Sequence, residues 1–131
     1  MSTPQGWRTL DVAAVRFAVP GDARAADIQP IDSQVGILRG AGYELIYDYG
    51  RAGESLSDNR DEPEFVMHER RIEGRAAVEV SFTASGPPWG AVRLLQVKDG
   101  ANSLTVRVSC VDQQTCQLAT AVFQSVTFTG R

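Results

Sequence analysis

Apolar and polar residues alternate along most of this chain, and that alternation is its first constraint. In DVAAVRFAVP, Val15, Phe17 and Val19 share one parity and Pro20–Gly21 ends the run, which predicts a strand. Residues 22–33 (DARAADIQPIDS) read as an irregular polar connection. SQVGILR and YELIYDY then flank Gly40-Ala41-Gly42, a glycine turn that suits a hairpin. A second hairpin joins EFVMHERRI to RAAVEVSFT around Glu73–Gly74, and a third joins AVRLLQV to SLTVRVSC across KDGAN, where Asp99–Gly100 is the turn signal. In the last strand Leu104, Val106, Val108 and Cys110 point one way and Thr105, Arg107 and Ser109 the other. One face should therefore be dry and the other wet or partly covered.

The period then changes. DQQTCQLATAVFQSV has Asp112 as a candidate N-cap and apolar residues at Cys116, Ala119, Val122, Phe123 and Val126, the offsets of one helical stripe. These elements predict a single α+β domain over residues 1–131. It is an antiparallel β-meander of six to seven strands with the C-terminal helix packed across one face.

Composition changes this picture little. The chain has 131 residues, 43% hydrophobic and 22% charged, an ordinary globular balance with mass for one core. Its net charge of −3 and the lack of a basic stripe argue against nucleic acid as a partner. Twelve of the thirteen cations are arginine, Lys98 being the exception. The distribution is uneven: residues 41–75 hold five cations and nine anions, against four and four in 1–40 and four and three in 76–131. No stretch is long and apolar enough for a transmembrane helix, and MSTPQGWRTL lacks the core of a secretory signal. Two readings stay open: an intracellular protein, or a mature domain whose leader is not contained in this sequence.

WRTLDVAAVRFAVPGD resembles the aromatic, spacer, F-x-V-P opening of the PsbP-like superfamily of extrinsic photosystem proteins. The hairpins and the closing helix that leads into ATAVFQSVTF are similar to that group's C-terminal half. IDSQVG…GYELIYDYG also looks like small exported or lipid-anchored bacterial proteins. The resemblance implies an accessory or binding role, since the group's members include a nuclear-transport factor binder and share no one active site. It carries over no functional residue.

The acidic stretch DYGRAGESLSDNRDEPE (48–64) invites a site. As a phosphate cradle it fails: it has no lysine, Glu54 would repel an anion, and Leu56–Asn59 is a poor helix start. Asp58, Asn59, Asp61, Glu62 and Glu64 are hard oxygen ligands, but their order is not that of an EF-hand loop. The expectation is a solvated acidic loop with no bound metal and no cofactor. Catalysis is poorly supplied. His68 is the single histidine, which excludes a two-histidine zinc site, and no nucleophile elbow accompanies it. Glu44 and Asp48 share a strand face and could do acid–base work if buried. Tyr43, Leu45, Tyr47 and Tyr49 form a stripe that reads first as core or cross-strand packing and second as a binding face. Trp89, in GPPWG, sits on a loop tip where it either meets a partner or packs back under the sheet.

The cysteines carry a compartment argument. Cys110 ends the last strand on its apolar face and Cys116 lies on the inner stripe of the helix, so the two sulfurs should meet across the corner. A disulfide is favoured over two free thiols, and with it an oxidising compartment. The reading is a non-enzymatic binding or accessory domain of the bacterial periplasm or cell envelope, the cytoplasm remaining the other option. It engages a protein partner with a basic patch through Tyr43, Tyr47, Tyr49, Asp58, Asp61, Glu62 and Trp89. The rivals are a small carboxylate-based hydrolase or lyase and an intracellular inhibitor or immunity-type module. A deep pocket lined by Glu44, Asp48 and His68 would favour the enzyme.

Overall fold

The computed structural model describes residues 6–12, 14–25, 34–50, 60–84 and 88–128. Along the chain run strands β1 (Arg8–Val12), β2 (Val15–Val19), β3 (Arg24–Ala25), β4 (Gln34–Gly40), β5 (Tyr43–Gly50), β6 (Val66–Ile72), β7 (Arg75–Phe82), β8 (Ala91–Asp99) and β9 (Asn102–Cys110). Helix α1 (Leu118–Gln124) and strand β10 (Thr127–Phe128) follow. The main sheet has the order β3-β4-β5-β9-β8-β7-β6, and a small sheet has the order β1-β2-β10. All neighbours in both are antiparallel.

The three hairpins stand where alternation and turn glycines put them. Gly42, Gly74 and Gly100 take left-handed backbone angles that the turns require, and Glu73 joins Gly74 there. The strand count and the path differ from the expectation: among the described residues ten strands form two sheets, not six or seven in one meander. β3 and β10 are two residues each, too short to carry a period. RTLDV in β1 is mostly exposed, with only Leu10 and Val12 turned inward, too short a run to mark a strand. β5 does not continue into β6. It pairs along its length with β9, while β6 lies at the far edge, so the two run parallel with three strands between them.

One face of the main sheet packs against β2 and α1. Phe17, Leu45, Leu95, Leu104, Val106, Val108, Val122 and Phe123 form its interior. Cys110 and Cys116 are disulfide-bonded inside this core, Cα to Cα 5.4 Å. The helical stripe is buried at every expected position, from Cys116 to Val126. The segment before α1 is a 3-10 turn at Thr115–Gln117, so regular helix starts later than the pattern suggested. The N-cap positions are Gln114 for the turn and Gln117 for α1, not Asp112, whose Oδ1 nevertheless accepts the Thr115 N–H at 2.7 Å. The opposite face is not simply wet: Val80, Phe82, Val92 and Leu94 form a second cluster there, with Phe65 and Val78 against it.

Candidate functional site

Cross-strand register decides which candidate residues can act together. Tyr47, Val106, Leu95, Glu79 and His68 lie in one row across the sheet, on the face turned to α1. Asp48, Thr105, Gln96, Val78 and Glu69 lie in the neighbouring row, and side chains of adjacent rows point to opposite faces. His68 is thus on the other side of the sheet from Glu44 and Asp48, and four strand spacings away, roughly 19 Å. The Glu44 carboxylate is taken by Arg39 at 2.8 Å. These positions keep Glu44, Asp48 and His68 from lining one pocket. Among the described residues, no three His, Cys, Asp or Glu side chains are placed to hold a metal.

The charged residues on the α1 face form an ion cluster instead. Glu79, 7% exposed, receives Arg70 on Oε1 at 2.6 Å and Arg93 on Oε2, with His68 Nε2 3.9 Å away. Arg93 also donates to the Thr120 hydroxyl at 2.6 Å and to the Cys116 carbonyl, and lies over the Phe123 ring. Burial alone would raise the Glu79 carboxyl, but hydrogen bonds from Arg93 and Arg70 outweigh it and hold the group below its ordinary value. This cluster ties the helix to the sheet.

The tyrosine stripe faces the core. Tyr43 is 3% exposed and donates its hydroxyl to Asp22 at 2.8 Å. Burial first, then that hydrogen bond, pushes the phenol far above its usual range, and the Ala41 N–H with the Tyr43 hydroxyl lowers Asp22. Tyr47 meets Phe17 edge to face at 5.8 Å. Tyr49 donates to Asp99 at 2.7 Å, and Asp99 also holds Arg75 at 2.9 Å. Two glycines opposite explain the spacing: Gly36 pairs with Tyr47 and Gly40 with Tyr43, and a Cβ at either would enter the tyrosine ring. The stripe is thus largely engaged in packing. Sequence reasoning missed the signal, two glycines four apart facing two tyrosines four apart.

The remaining candidates converge at one end of the main sheet. Asp58 lies outside the described residues. Asp61 is exposed and Glu62 half-buried just before β6. Pro63 and Glu64 are clipped to the end of β7, since the Thr83 N–H donates to the Pro63 carbonyl at 2.8 Å and its hydroxyl to the Glu64 carboxylate. Trp89 is half-buried; beside it the Gly90 N–H donates to the Cys110 carbonyl at 2.7 Å, where a Cβ would strike the Val111 carbonyl. The large hydrophobic side chains exposed among the described residues are at this end too: Val66 at 52%, Met67 at 38% and Val111 at 46%. These three were not anticipated. The available signal was adjacent apolar residues at 66 and 67 ahead of four polar ones, a pattern that leaves one of the pair outside whichever face is buried.

The described residues form an α+β domain of PsbP-like fold. The fold is shared with the solution structure of cyanobacterial PsbP (CyanoP) from Synechocystis sp. PCC 6803, at a TM-score of 0.65 over 94% of this chain and 92% of that one. Sequence identity is 9%, so the likeness is one of fold. No protein-family model matches the chain, and no curated protein matches it in sequence.

Proposed function

We propose that this chain is a non-enzymatic accessory domain that binds a protein partner through the sheet end formed by residues 60–67, Trp89 and Val111. The observation that carries the reading is that exposed Val66 and Met67 follow directly on the acidic Asp61, Glu62 and Glu64, at the sheet end that also carries exposed Val111. Apolar anchors with a charged rim are the anatomy of a protein interface. The rim calls for a partner with a basic patch, and association that weakens as salt rises. Similarity in fold to cyanobacterial PsbP supports an accessory role. The buried disulfide supports an oxidising compartment, hence the periplasm or cell envelope.

A photo-crosslinking residue at position 67 identifies the partner, with position 24 on the opposite sheet edge as control. Binding to the purified partner is then compared for the wild type and the Asp61→Asn, Glu62→Gln variant at two salt concentrations. Loss of two rim charges should weaken binding roughly 3- to 10-fold at low salt and less at high salt. Equal affinity at both salts, or crosslinking that is the same from both positions, overturns the reading.

A further inference from the structure

On the face away from α1, register lines up two short rows across the β6 edge of the sheet. Arg71 pairs with Ala76, with Lys98 one residue beyond the last β7–β8 pair, Ala77 with Val97; two residues along on the same face, Glu69 pairs with Val78 and Val78 with Gln96. Small and medium side chains on β7 thus form a floor between longer ones on β6 and β8. The result is a cleft of about 370 Å3 with Glu69 and Arg71 on one wall and Gln96 and Lys98 on the other. That volume is in the range of small-molecule sites. The backbones carrying Arg71 and Lys98 are two strand spacings apart, about 10 Å, so both side chains reach a single group above Ala76.

The cations of this cleft differ from the sheet arginines that carboxylates hold. Arg39, Arg70, Arg75 and Arg93 are each neutralised by a carboxylate. Arg71 spends one guanidinium N–H on the Gly74 carbonyl at 3.2 Å and forms no ion pair among the described residues, and neither does Lys98. Lys98 is also the one lysine in a chain with twelve arginines. Two cations facing each other over an apolar floor match a negative head on an apolar body. Glu69 beside them repels a second negative charge and accepts a hydrogen bond from a ligand donor.

We propose that this cleft binds a small organic monoanion, its head between Arg71 and Lys98 and its apolar body on Ala76 and Val78. The proposal is independent of the protein-binding surface. The full chain is titrated at low ionic strength with phenylacetate, with phenethylammonium and with inorganic phosphate, following backbone amide shifts. Phenylacetate should perturb Arg71, Ala76, Val78 and Lys98 with a Kd of about 1 mM, the affinity ten heavy atoms reach at modest efficiency. The double variant Arg71→Gln, Lys98→Gln, both exposed and so harmless to folding, should weaken binding at least about tenfold. Lys98→Arg should retain it. Perturbation elsewhere or none, unchanged binding by the double variant, or phenethylammonium or phosphate binding as tightly as phenylacetate would each overturn the assignment.

Discussion

Changing Glu79 to Gln removes one charge and keeps the shape of the side chain that Arg70 and Arg93 share. Breaking a buried ion pair costs about 3–5 kcal/mol, chiefly through the charge left behind. Here Arg93 is the buried partner at 18% side-chain exposure, whereas Arg70 at 30% keeps much of its hydration. The Arg70 arm is then worth under about 1 kcal/mol and the Arg93 arm about 2 kcal/mol. A loss of about 2–3 kcal/mol follows, or about 7–11 °C in Tm for 131 residues at the usual unfolding entropy per residue. Urea unfolding of wild type and variant over a pH series tests both size and cause. The folded-state Glu79 carboxyl lies below its ordinary value of 4.5, so its stabilisation is present above that pH and disappears as pH falls through the folded value. The gap between wild type and Glu79→Gln should be full at pH 7 and narrow as pH falls below 4.5. A gap under about 0.5 kcal/mol, or one that ignores pH, would refute the argument.

Three further outcomes are expected. Alkylation without reductant should add no mass to the native or unfolded chain, and Cys110→Ala with Cys116→Ala should cost about 2 kcal/mol for so short a ring; two labelled thiols would dismiss the bond. Gly36→Ala should cost about 1–3 kcal/mol by driving a Cβ into the Tyr47 ring, and markedly less in a Tyr47→Ala background. Strict additivity of the two changes would show that the ring is not the obstacle. Melting curves with calcium and with chelator should coincide, because Asp61 and Glu64 are exposed and no ligand cluster forms among the described residues. A drop of several degrees on chelation would make the acidic segment a structural cation site.

How far the sequence carried can be read from particular residues. The hairpin turns at Gly42, Gly74 and Gly100 were legible because left-handed backbone there needs glycine and the flanks alternate. The inward stripe of α1 and the meeting of Cys110 with Cys116 were legible for the same kind of reason: short-range periodicity fixes a face, and a corner of five residues leaves little choice. Strand order was not legible. Nothing local in Tyr43–Gly50 says that its next neighbour is Asn102–Cys110 and not Val66–Ile72, because that choice is made by burial of both faces at once. The candidate site suffered accordingly. Tyr43, Tyr47 and Tyr49 seemed adjacent to Asp61 and Glu62 along the chain, yet β9, β8 and β7 stand between β5 and β6.

That same jump from β5 to β6 divides the chain into two halves that clasp each other. Residues through Gly50 supply β1 to β5, and the remainder supplies β6 to β9, α1 and β10. The halves are joined by eight paired positions between β5 and β9, and again where β10 adds to β2. Each of these partner strands comes from the other half, so the pairings themselves hold the two halves together. Separately synthesised halves therefore have the makings of a complementation pair, with each fragment acting as the other's template.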